Sequence, residues 1–187
     1  MAQSFVQDIL ADVLERNRSL VATTNLGQTP KGITSNVLHC LETSALRVFN
    51  TMCGIELKLE KRFEGCYAAR QYDASGIITF SGTIQATVAL RFQKDLAFAC
   101  AESLLGTQPK TFDEDVVDVV GEMANMVVGG AKEHIASSDL SLGLPVVVTG
   151  LGHKVSLPAD MKISTLHFQS CKGECVIEIG IKPKHDN

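Results

Sequence analysis

Apolar residues recur at helical spacing in some parts of the chain and alternate in others, and the change of period divides it into elements. Between residues 4 and 20, Phe5, Val6, Ile9, Leu10, Val13 and Leu14 return every three or four positions. That spacing predicts an amphipathic helix with Ser4 as its N-cap. The turn-rich TTNLGQTPKG, residues 23–32, reads as a linker. A second helix is expected from about Ser35 to Met52, ending near Gly54. Then Ile55, Leu57 and Leu59 alternate with charged residues, which is the period of a half-buried strand. GIITFSG and TIQATVALRF read as two further strands by their β-branched content, with the break at Ser81-Gly82. Helix returns at KDLAFACAESLLG, residues 94–106, with Gly106 as its C-terminal cap. A long helix follows from about Asp113 to Ala136. Asp113, Glu114 and Asp115 crowd its first turn, where the helix dipole favours acids. VVVTG, MKISTLHFQ and CVIEIGI read as strands, the last two joined by a turn at CKGE. Runs of helix and runs of strand, without strict alternation, predict an α+β fold with antiparallel pairing.

Composition narrows the function classes. In 187 residues, 45% are hydrophobic, enough for a packed core of one domain with an extension. No apolar run approaches the ~20 residues of a membrane span. The first twenty residues place acids among their apolar positions and lack a small-residue cleavage site, so they do not read as a signal peptide. The net charge of −4, with no basic cluster, argues against a nucleic-acid partner. Six cysteines, at 40, 53, 66, 100, 171 and 175, sit mostly in apolar or regular stretches and are expected to be reduced thiols of a cytoplasmic protein. Cys171 and Cys175 flank an expected turn, with His167 upstream. Zinc wants four ligands and usually tighter cysteine spacing, so the expectation is a cross-strand pair and no metal site. TGLGHK is read as a turn, since no helix follows it to make a phosphate cradle.

The stretch DVVGEMANMVVGGAK, residues 118–132, is an odd helix. It carries three glycines, each costing about 1 kcal/mol against alanine in a helix interior. On a helical wheel Val116, Val120, Met123, Val127 and Ala131 share one face, which must be core. Asp118, Gly121, Glu122, Asn125, Gly129 and Lys132 share the opposite face, within roughly 100° of arc. An exposed Glu and Asn three apart are by themselves ordinary amphipathic surface. The glycines add something, because they remove side-chain bulk and let another molecule come close. Gly129-Gly130 could instead serve close packing of a second helix.

The pattern Asp118-x-x-x-Glu122-x-x-Asn125-x-x-x-Gly129, continuing Gly130-Ala131-Lys132, resembles the signature of the CheC, CheX and FliY family of chemotaxis phosphatases. The resemblance spans roughly residues 33–183 and includes GIITFSGTIQATVALRF and KDLAFACAESLLG. It implies a CheX-like fold, a mostly antiparallel sheet packed against long helices. Residues 31–187 would be the phosphatase domain, and residues 1–30 an added helix and linker. It further implies removal of the phosphoryl group from the aspartate of a CheY-like receiver domain. Glu122 and Asn125 would be catalytic, and Asp118, Gly121, Gly129 and Lys132 would take part in docking. No cofactor of its own is implied, the Mg²⁺ being the receiver's. The residue types suit that chemistry. An acyl phosphate is already reactive, and its hydrolysis needs a water held in line. A carboxamide can orient water without ionising, and a carboxylate can pair with a receiver lysine. A non-catalytic receiver-binding or flagellar-switch module of the same fold is the alternative.

Some members of that family carry two such helices. Aligning Glu42 on Glu122 sets Leu38 against Asp118, Ala45 against Asn125 and Phe49 against Gly129. The amide is lost, so the second site should be dead. That is similar to the one-site CheX type, which implies a homodimer.

Overall fold

The computed structural model describes residues 33–67, 71–135 and 139–182. The N-terminal helix expected over residues 4–20 and its linker lie outside the described residues. Three helices are described: α1 (Ile33–Cys53), α2 (Lys94–Leu105) and α3 (Glu114–His134). The strands are β1 (Lys58–Glu64), β2 (Ala74–Gly82), β3 (Ala86–Phe92), β4 (Leu140–Leu142), β5 (Val146–Thr149), β6 (Lys162–Ser170) and β7 (Gly173–Ile181). All pair antiparallel in one sheet of order β1-β6-β7-β3-β2-β4. β2 shares its outer edge between two short strands: Ala74–Ile77 pair with β5, and Phe80–Gly82 with β4. The α+β expectation and the antiparallel sheet are what the chain forms.

Local chemistry sets the ends of the helices. Gly54, at φ 65°, closes α1, its N–H bonding to Asn50 O at 3.0 Å. Gly106, at φ 72°, closes α2 with its N–H on Glu102 O, the left-handed cap that its position in the sequence suggested. Asp113 caps α3 by accepting from Val116 N at 3.1 Å. Two expectations shift. Ile55 and Leu57 are buried at strand period but precede β1, which begins at Lys58. β4 was not anticipated, because three residues are too few to display a period.

The helices cover one face of the sheet. β3 turns Ala86, Val88, Leu90 and Phe92 toward them, and the Phe92 ring packs on Phe49 of α1 at 5.9 Å. Where α3 crosses β2, Gly76 lies under the helix: a Cβ there would come within 2.5 Å of Ala124 Cβ and 3.1 Å of Val120 O. Removing that side chain is what lets α3 sit so close to the sheet.

The opposite face carries an ionic brace. Arg91 Nη2 lies 2.8 Å from Glu178 Oε2 and donates to Val155 O at 2.7 Å. Tyr67 N donates to Glu178 Oε1 at 2.8 Å. His153, half-buried in the segment after β5, meets Ser75 Oγ through Nε2 at 2.7 Å, and its Nδ1 lies 2.8 Å from Gly150 O. These contacts tie the segments 65–67 and 150–155 onto the sheet and satisfy polar groups that burial would otherwise penalise. Cys40, Cys100 and Cys175 are buried, as expected of core thiols, but Cys66 and Cys171 are exposed. Cys175 sits opposite Phe168, and Cys171 lies in the turn, so the two are not cross-strand partners. All six cysteines are free.

Candidate functional site

α3 is amphipathic as the wheel requires. Val116, Val120, Met123, Val127 and Ala131 are buried against the sheet and the other helices. On the other side Asp118 is exposed, and Glu122, Asn125, Gly129 and Lys132 are half-buried. The stripe therefore survives as an accessible surface, with one exception.

Gly121 was expected on that exposed stripe and is buried. A Cβ at Gly121 would meet Val147 Cγ2 at 3.1 Å and Pro145 at 3.9 Å. The connector from β4 to β5 passes over it, held by Gly143 N donating to Thr79 O at 2.9 Å and by the pairing of β5 with β2. The missing side chain at Gly121 is used within the chain, to seat this connector. The signal was not in the helix itself. Pro145 and Val147 reach Gly121 only because β2 carries both short strands on one edge.

The paired glycines divide in the same way. A Cβ at Gly130 would come within 2.5 Å of Ser44 Oγ and 2.9 Å of Arg47 Nη2, so Gly130 serves the packing of α1 on α3. Gly129 has nothing within 4 Å of a Cβ position. Only Gly129 keeps open space above the helix. Glu122 and Asn125 thus lie on a strip flanked by α1 and by the Gly143–Val147 connector, with Gly129 one turn beyond Asn125.

Glu122 and Asn125 stand one helical turn apart on this strip, near enough for the Asn125 amide to act on the Glu122 carboxyl. Partial burial pushes the Glu122 carboxyl above its ordinary value, and the Asn125 bond pulls it back down. An ionised carboxylate only accepts, so the amide N–H₂ of Asn125 is the donor. An amide whose N–H₂ faces the carboxylate keeps its carbonyl oxygen as an acceptor suited to a water.

The corresponding face of α1 is closed. Leu38, Ala45 and Phe49 are buried core residues. Glu42 is half-buried and forms an ion pair with Arg62 of β1. The acid on α1 is occupied within the fold, and no amide stands beside it.

Among the described residues no group of three His, Cys, Asp or Glu side chains is placed to hold a metal ion. His167 stacks on Tyr67 at 4.9 Å and lies 3.3 Å from Glu174 Oε2 in the sheet, away from Cys171 in its turn. No described helix is long and apolar enough to cross a membrane.

Comparison with known proteins adds a family. The family model described as chemotaxis phosphatase CheX matches residues 74–169. Among solved structures, the chemotaxis protein CheX of Vibrio vulnificus is 33% identical, with a TM-score of 0.73, covering 78% of this chain and 99% of its own. A CheC-like superfamily protein of Shewanella sp. PV-4 is 30% identical, with a TM-score of 0.74, covering 79% and 98%. A chain of the CheX–CheY–BeF₃–Mg²⁺ complex of Borrelia burgdorferi shares the fold at 17% identity, with a TM-score of 0.67 over 79% and 98%. No curated protein matches the chain significantly.

Proposed function

Since the chain belongs to the CheX family of chemotaxis phosphatases, we propose that it hydrolyses the aspartyl phosphate of a CheY-like receiver domain. The observation that carries this reading is Glu122 and Asn125 side by side on an accessible helical strip, with open space at Gly129. A pure docking helix has no need of an amide beside a carboxylate.

In this reading α3 lies against the receiver's phosphorylation site. Glu122 meets a receiver lysine in a charge-assisted pair and sets the register. The Asn125 carbonyl oxygen accepts a hydrogen bond from a water and directs it at phosphorus. The water oxygen attacks as the acyl-phosphate P–O bond breaks, and the products are inorganic phosphate and the free aspartate. Glu122 has a second task, because its bond to the amide holds Asn125 in one orientation. The receiver supplies the Mg²⁺. The Borrelia complex, which holds a CheY with BeF₃ and Mg²⁺, supports that division of labour. Asp118 and Lys132 border the strip as docking charges, and Gly129 permits close approach. Gly121 acts indirectly, by seating Pro145 and Val147 on α3 one turn before Asn125. Catalysis is assigned to residues 31–187, and the protein to the cytoplasm as a homodimer.

The test separates chemistry from docking. Asn125→Ala removes the amide and little area. It is expected to lower phosphate release from an acyl-phosphorylated receiver at least about a hundredfold, or some 3 kcal/mol of barrier, with receiver binding retained. Glu122→Lys places like charges together, which costs several kcal/mol at an interface, so binding itself should be lost. Near-normal turnover in Asn125→Ala would leave α3 as a docking surface without catalysis.

A further inference from the structure

The seam between α1 and α3 holds a cation without a partner. Arg47 of α1 reaches over to α3, and its Nη2 lies 2.9 Å from the point where a Gly130 Cβ would stand. The Ser44 hydroxyl lies 2.5 Å from the same point. A guanidinium has five N–H groups to satisfy. Among the described residues none of those of Arg47 is hydrogen-bonded or ion-paired. Glu42, one turn earlier on α1, is taken by Arg62, and the exposed Glu133 at the end of α3 makes no pair with Arg47. Ser44 is 2% exposed, and its buried Oγ has no hydrogen-bond partner either. Buried hydroxyls are normally bonded, so this one calls for a partner from outside.

The seam borders the strip that carries Glu122 and Asn125. Gly129, 100° round the helix from Gly130, is open above its Cα. Lys132, one turn beyond Gly129, is half-buried and pairs with no acid among the described residues. Gly130 carries no side chain to screen Arg47 or Ser44 from a molecule lying over Gly129.

Resting on the receiver reading proposed above, we infer that Arg47 is a docking residue, supplied by α1, that takes a carboxylate of the receiver domain, with Lys132 on the same rim. The phosphoryl group is not its target. Gly130 lies five residues past Asn125, about 7.5 Å along the helix axis and further round it. A water held by Asn125 addresses phosphorus next to Asn125, which leaves Arg47 over the neighbouring receiver surface. The guanidinium fork matches a carboxylate with two parallel N–H···O bonds, and an anion drawn there offers Ser44 an acceptor. Along α3 the strip then meets the receiver with two charges. Glu122 takes a cation before Asn125, and Arg47 takes an anion beyond it. A receiver seated the other way round would bring like charges together at both ends.

The test uses the full chain, a CheY-like receiver held in its activated form by BeF₃ and Mg²⁺ for binding, and the acyl-phosphorylated receiver for turnover. Arg47→Gln removes the charge and keeps a polar side chain. It should raise Kd and KM about threefold. Arg47→Glu should raise both at least about tenfold. In both variants kcat should stay within about twofold, and in Arg47→Gln the weakening of binding by salt should be shallower than in wild type. Exchanging receiver acids for lysine one at a time should find one exchange that restores binding to Arg47→Glu and weakens it to wild type. Wild-type Kd and KM in Arg47→Glu would overturn the assignment and leave the receiver reading standing. So would a lowered urea midpoint with the salt dependence unmoved, which marks a purely structural residue, or a fall in kcat at unchanged KM, which marks a contact with the phosphoryl group. A wild-type chain that neither binds nor dephosphorylates the receiver would remove the receiver reading itself, and the docking role with it.

Discussion

Burial and the Asn125 amide pull the Glu122 carboxyl in opposite directions, and burial wins. A carboxyl whose folded pKa exceeds its unfolded value holds its proton better in the folded state. Its ionisation therefore costs stability, a cost absent below the ordinary value of 4.5 and fully present above the raised folded value. The same shift governs docking, since only the carboxylate can pair with a receiver lysine. Receiver affinity is expected to fall on acidification through the raised pKa of Glu122, at milder pH than for an ordinary glutamate. Asn125→Ala removes the bond that lowers that pKa and should move it further up. An NMR titration of the Glu122 side chain reads this directly. An unmoved midpoint in Asn125→Ala would mean that the amide does not engage the carboxylate in solution.

The three glycines of α3 read alike in the sequence but occupy three environments, so one substitution should have different outcomes along the element. Gly129→Ala adds a methyl group to open space and gains helix propensity, so stability should rise by up to about 1 kcal/mol. Gly130→Ala drives a methyl group into Ser44 and Arg47 of α1. That overpacking should cost about 1–3 kcal/mol despite the same gain in propensity. Urea denaturation of both variants checks the contrast. If a receiver seats closely over Gly129, the stabilised Gly129→Ala protein should lose kcat/KM on phosphorylated receiver. Retained activity would place the receiver further from this turn.

At the scale of the molecule the two edges of the sheet differ. β1 exposes Lys58, Glu60, Lys61, Arg62 and Glu64, and such a charged edge resists pairing with another strand. The other edge ends in the short β4 and β5, with Leu144 91% and Val146 60% exposed. Among the described residues it is the less charged of the two edges, and the one expected to take a symmetric partner. The chain is expected to sediment as a dimer at micromolar concentration, and Val146→Lys should shift it toward monomer. A wild-type monomer across that range would remove the dimer from the functional reading.

Period and end-chemistry determine most of the elements without any tertiary contact. The apolar face of α3, the Gly106 cap, the hairpin of β6 and β7 and the α+β class were all legible, because each depends on residues a few positions apart. The Glu122–Asn125 pair was legible for the same reason, one turn of helix setting both side chains on one face. The tertiary structure decided what lay across the chain. It buried Gly121 beneath Pro145 and Val147, gave Gly130 to α1 and left Gly129 open, though nothing local distinguishes the three. It also joined Arg91 to Glu178 and Ser75 to His153, pairs separated by 87 and 78 positions in the sequence. Local sequence carries propensity, period and capping, which are short-range. Which surface of a helix stays free depends on what the sheet brings to lie against it, and that is settled only when the distant strands pair.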